Sequence, residues 1–62
     1  MKSFDIIVNE EKEKYLLIGM TEDNAYQLLT TTKNFIYAND LNDFTRVGNI
    51  IEQPELIELM NM

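Results

Sequence analysis

The sequence predicts a small α+β fold, an antiparallel four-stranded sheet with one packed helix in the order β-β-α-β-β and a short C-terminal helical tail. Three observations predict it. Ser3 to Asn9 alternates, with Phe4, Ile6 and Val8 on one side and Ser3, Asp5 and Asn9 on the other. Ala25, Leu28, Leu29 and Thr32 fall at the spacing of one helical face. Pro54 precedes a second apolar stripe of Leu56, Leu59 and Met60.

Taken in order, Ser3–Asn9 is the first strand, because period two with β-branched residues suits a half-buried strand. Ile7 breaks the polar side, so that side is expected to be partly covered. Glu10-Glu11-Lys12-Glu13-Lys14 is a solvated charge run and reads as a five-residue hairpin loop. Tyr15 to Met20 is apolar on both sides, as an inner strand requires. A single helix from Glu10 to Met20 is the rival, opposed by Gly19 and the aromatic and branched content. Thr21 suits a helix N-cap, with Glu22 and Asp23 in the electropositive first turn. Lys33 suits the last turn, and Asn34 the left-handed residue beyond it. Three consecutive threonines, Thr30–Thr32, weaken that last turn.

Phe35-Ile36-Tyr37-Ala38 is a short third strand. Asn39 to Asp43 is dense in residues that hydrogen-bond their own backbone, which predicts a turn or one 3₁₀ turn. Phe44 to Glu52 is the fourth strand, with a slip of phase between Val47 and Ile50 that a β-bulge at Gly48 would reconcile. The tail helix is too short to stand alone in water and must dock on something. No composition shift or linker divides the chain, so residues 1–62 read as a single domain.

Composition narrows the chemistry. The 62 residues carry 11 acids and 5 bases, for a net charge of -6, with no histidine, cysteine or tryptophan. Disulfides, Cys/His zinc sites, thiol nucleophiles and histidine bases are therefore all excluded. Glu22/Asp23, Asp40/Asp43 and Glu55/Glu58 are carboxylate pairs, but so short a chain gives little wall for a cleft. Turn capping and helix-dipole roles explain them better. No enzyme activity and no cofactor are expected. Asp40-Leu41-Asn42-Asp43 resembles the opening of an EF-hand loop. The match fails at Phe44, Thr45 and Ile51, where the fifth, sixth and twelfth positions should lie, so no metal is expected. Direct nucleic-acid binding is disfavoured, because Lys12 and Lys14 are interleaved with acids and Arg46 is the only arginine. The longest apolar run is too short for a membrane span. The N-terminus lacks a signal-peptide pattern, and cysteine is absent, which together predict a cytoplasmic protein.

Phe, Tyr, Met, Ile, Asn and Lys number 28, while Gly, Ala, Arg and Pro number 6, which points to an AT-rich genome. In composition the chain resembles the short acidic proteins encoded by phages and other mobile elements of such bacteria. The resemblance covers no motif and assigns no residue. It implies a non-enzymatic interaction module, an inhibitor that binds a larger host protein, such as a nucleic-acid-handling or defence enzyme, through an acidic surface. Glu10, Glu11, Glu13, Glu22, Asp23, Asp40 and Asp43 are the residues of that surface. The plainer reading is that the charge keeps a small domain soluble. The alternative function is a housekeeping accessory subunit that binds through its sheet edge or apolar tail; a small metal-dependent enzyme is the remotest. Finally, a chain of this size buries only ~60% of its unfolded surface. A homodimer covered by Leu56, Ile57, Leu59 and Met60, with Met62, is therefore expected, against the alternative that the tail folds back on its own sheet.

Overall fold

A computed structural model describes residues 1–61. The alternating N-terminal segment and the following apolar run form strands β1 (Asp5–Val8) and β2 (Lys14–Met20). They pair antiparallel, with Ile6 opposite Leu16 and Ile7 opposite Tyr15. Residues 10–13 of the charge run lie in the hairpin loop between them, and Lys14 begins β2 opposite Val8. Asn9 closes that loop: its N–H donates to the Glu13 carbonyl, its carbonyl accepts from the Lys12 N–H, and its Oδ1 accepts from the N–H groups of Glu11 and Glu13.

The chain then departs from the α+β expectation. The segment expected to be a helix forms β3 (Tyr26–Thr30), and β4 (Phe35–Ala38) and β5 (Thr45–Asn49) follow. The result is one five-stranded antiparallel sheet in the order β4-β3-β2-β1-β5, with no packed α-helix among the described residues. The reason lies in the two central leucines. As neighbours on an inner strand, Leu28 and Leu29 bury on opposite sides of the sheet, Leu28 opposite Leu17 and Leu29 opposite Leu16. A helix would have placed both on one side only. Tyr26 and the threonines also favour extended backbone.

The local signals at both ends of the presumed helix are genuine, but they cap turns. Thr21 Oγ1 accepts from the Ala25 N–H, and the left-handed residue is Asn24, at φ 62°. Thr30 Oγ1 accepts from the Asn34 N–H, and the left-handed residue is Lys33, at φ 66°. In each loop, as at Asn9, the first residue's N–H donates to the carbonyl four positions on and its carbonyl accepts from the N–H three positions on. The three hairpins are thus built alike, each a tight turn followed by one left-handed residue, with a side-chain acceptor at its first position.

Both sides of the sheet are covered. On one, Ile6, Leu16 and Met60 are buried, with Ile18, Leu29, Ile50 and Leu56 packed around them. Met60 comes from the tail, which forms a 3₁₀ helix over Pro54–Met60 and ends at a left-handed Asn61. On the other, Ile7, Leu17 and Leu28 are buried. Their cover is the β4–β5 connection. Ala38 pairs with Tyr26 at one end of the sheet and Thr45 pairs with Val8 at the other, so residues 39–44 cross it. Leu41 and Phe44 thereby pack on the core, and Phe44 meets the Tyr15 ring edge-to-face at 5.7 Å.

The phase slip in the fourth predicted strand is a β-bulge. Gly48 pairs with Ile6 and Arg46 with Ile7, leaving Val47 as the extra residue. Glycine leaves room there for the tail side chains. A Cβ at position 48 would collide with Leu56 Cδ1 and approach Gln53 Oε1 to 3.2 Å. Gly48→Ala is expected to push the tail off the sheet and lower stability by about 1–3 kcal/mol, as overpacking does, which urea denaturation would measure. Gly19→Ala, whose Cβ would meet only Ser3 Oγ at 3.6 Å, serves as the control.

Candidate functional site

The sheet distributes the seven acids of the expected surface over two ends. Glu10, Glu11 and Glu13 lie in the β1–β2 loop, and Asp43 precedes Thr45, which pairs with Val8 at that same end. Lys12, Lys14 and Lys33 lie there too, since the β3–β4 loop turns at this end. Glu22 and Asp23 sit in the β2–β3 loop, separated from the first group by the seven-residue β2, about 20 Å of extended chain. Asp40 follows Ala38 at their end. Segments 21–25 and 39–40 carry no lysine or arginine. Asp40 Oδ1 accepts from the Asn42 N–H at 3.0 Å, the Asx turn that its sequence predicts. Among the described residues no three acids stand close enough to hold a metal ion.

The four residues assigned to an oligomer interface lie on the tail. Met60 is fully buried in its own chain, Leu56 and Ile57 are half-buried, and Leu59 is 37% exposed. The tail therefore folds back on its own sheet, and Met60 is a core contact of its own chain. The physical reason is the bulge and Gly48, which open a seat for Leu56 beside β5. Met62 lies outside the described residues.

A buried polar group went unrecognised in the sequence. Asp5 begins β1 with no solvent exposure, and its carboxylate is fully engaged. Oδ1 accepts from Asn49 Nδ2 at 2.9 Å and faces Arg46 Nε at 3.1 Å, while Oδ2 accepts from the Lys2 N–H at 2.9 Å. Burial pushes the Asp5 carboxyl up. The hydrogen bonds from Lys2, Asn49 and Arg46, with the charge of Arg46, outweigh it and hold the Asp5 pKa below the ordinary aspartate value. Glu52 joins Arg46 and Lys2 at 3.0 and 3.1 Å. The Lys2 hydrogen bond and charge, with those of Arg46, lower the Glu52 pKa as well. Asn49 Oδ1 accepts from the N–H groups of Ile51 and Glu52. No buried side-chain polar atom among the described residues lacks a partner, and the group ties the N-terminus to the turn after β5. It works as a pin, since no acid in it stands unpaired and ready to move a proton.

An open cleft of about 380 Å³ lies between the Lys12–Tyr15 segment, Thr30–Thr32 and the tail residues Leu59 and Asn61. It gathers hydroxyls and two lysines but no nucleophile activated by a base.

β4 carries three exposed apolar side chains in succession. Phe35 is 54% exposed, Ile36 38% and Tyr37 60%. This strand is at the sheet edge and pairs only with β3. Thr30 and Asn34 are a hydrogen-bonded pair, so by alternation Ile36 and Ala38 direct their backbone groups to β3. Phe35 and Tyr37 direct theirs outward. No charge interrupts Asn34 to Asn39. Native sheets ordinarily guard such an edge with a charge, a proline or a bulge, and β4 has none of these. The opposite edge, β5, has both Arg46 and the Val47 bulge. The signal was present in the sequence as an uncharged run, but only the strand order shows that it lies at an edge.

No protein-family model, curated protein or solved structure matches this chain. No helix among the described residues is long and apolar enough to cross a membrane.

Proposed function

We propose that this protein is a non-enzymatic protein-interaction module and that the β4 edge is its contact surface. The observation that carries the reading is the unguarded strand Phe35–Ala38, with outward backbone donors and acceptors beside three exposed apolar side chains. An edge of this kind binds by adding a strand: main-chain hydrogen bonds supply affinity, and side chains on alternate sides supply specificity. The absence of histidine and cysteine and the full pairing of the Asp5 group support a non-catalytic role. The cysteine-free composition suits a cytoplasmic setting.

A second reading is supported by the Glu22, Asp23 and Asp40 end, whose β2–β3 loop and residues 39–40 contain no basic residue, with Lys2 of the N-terminal segment beside them. In it the module inhibits or redirects a larger host protein by meeting a basic groove, as the compositional resemblance to mobile-element proteins implies. Affinity capture from a bacterial lysate separates the two. A bound protein lost with Phe35→Lys and Tyr37→Lys, and kept with Glu22→Lys and Asp23→Lys, supports the edge. The reverse ranking, with binding that falls steeply as salt rises, supports the acidic end.

A further inference from the structure

We infer that the occupant of the β4 edge is a second copy of the same strand, paired antiparallel about a two-fold axis that passes between the two Ile36 residues. The inference rests on the edge being the contact surface, and it names the partner.

Three observations select a second copy. First, the backbone pattern is self-complementary. Phe35 and Tyr37 face outward, so an antiparallel copy placed with Ile36 opposite Ile36 sets each Phe35 against the other chain's Tyr37 as a hydrogen-bonded pair. The two pairs exchange all four outward N–H and C=O groups of the strand. Second, the side chains match in this register. Phe35 and Tyr37 lie on one side of the sheet, so the pairing gathers four aromatic rings there and brings the two Ile36 side chains together on the other. Third, the flanking charges agree. Lys33 precedes the uncharged run and Asp40 follows it. Antiparallel pairing brings each Lys33 to the end where the other copy's Asn39 and Asp40 lie. A parallel copy would align like charges instead.

The geometry also explains why association stops at two. A two-fold contact uses the same edge on both chains and so closes on itself. Growth would need the β5 edge, and the Val47 bulge and Arg46 obstruct strand addition there. The result is a continuous ten-stranded sheet.

Sedimentation equilibrium across a wide concentration range, with two variants and their mixture, tests this. The wild-type mass is expected to rise with concentration from that of one chain to that of two and no further. Phe35→Lys and Tyr37→Glu, taken singly, are each expected to weaken association about tenfold or more, because each puts two unpaired charges into the aromatic pairs. Mixed together they are expected to recover it as a heterodimer, since one Lys–Glu pair and one Tyr–Phe pair then form. Both side chains are more than half exposed, and circular dichroism should show both variants folded. A wild type that is monomeric throughout overturns the inference, as does a mixture no more associated than its components. If the chain is monomeric yet captures a different protein through β4, the inference falls and the interaction-module reading stands. If the β4 variants alter neither self-association nor capture, both fall.

Discussion

Asp5→Ala is expected to lower stability by about 2–3 kcal/mol, the range for charge-assisted hydrogen bonds lost together with new unsatisfied donors. A chain of 62 residues has about 3–9 kcal/mol in total at ~0.05–0.15 kcal/mol per residue, so the loss takes a large share of its stability. The cause is specific. Asp5 is the shared acceptor for Asn49, Arg46 and the Lys2 N–H, and no other side chain stands in its place. Asp5→Asn keeps an oxygen for Asn49 and loses the charge, so it is expected to cost less. The pH dependence follows from the lowered folded-state pKa. The stabilisation is present above the unfolded value of about 3.9 and is lost as pH falls through the lower folded value. Wild-type stability should therefore drop below about pH 4, with Glu52 adding in the same direction, and the drop should be shallower in Asp5→Asn. Urea titrations at pH 3 and pH 7 measure both effects.

Met60→Ala is expected to cost about 2–5 kcal/mol, the range for emptying a buried large side chain. Met60 completes the cluster over Ile6 and Leu16, and Leu56 and Ile50 pack at its margin. Leu59→Ala, one residue earlier but largely outside that cluster, should cost well under half as much. The contrast decides what the tail does. A tail that belongs to its own core makes Met60→Ala destabilising by the same amount at every protein concentration. A tail that covers a second copy makes the loss shrink on dilution, because the association that the substitution removes then contributes less to the wild type.

Much of the fold was legible where one local pattern had one meaning. Alternation gave β1, the charge run its hairpin, the Asn/Asp cluster its Asx turn, and Pro54 the start of the tail helix. The strand-phase conflict around Gly48 also pointed to the bulge that the structure contains. The failure at residues 21–34 has a clear cause. Leu28-Leu29 on an inner strand between two covered sides produces the same short-range spacing as a helical stripe. Thr21 and Thr30 cap hairpin turns by the chemistry that caps helices, so the flanking signals could not separate the two. Register over a longer stretch would have been needed, and the element has only five residues.

The candidate site was less legible, for a different reason. Whether an acid belongs to a common surface depends on which loops share an end of the sheet. The helix that was expected in place of β3 would have altered that arrangement. The sequence places Asp5 on the polar side of its strand with no partner named, whereas β5 pairs beside it and brings Arg46 and Asn49 onto it. The Phe35–Ala38 run was recognised as a strand, but its place at the outside of the sheet follows only from β5 returning to β1.

Amide hydrogen exchange at Phe35 and Tyr37, followed as protein concentration is raised, tests the central claim that the β4 edge is occupied by a second copy. The N–H groups of Ile36 and Ala38 are bonded to β3 and should be protected at every concentration. Those of Phe35 and Tyr37 should exchange freely in dilute protein and become protected together, in step with the rise in mass. Exchange at these two amides that stays fast at all concentrations, while the mass doubles, would contradict the account.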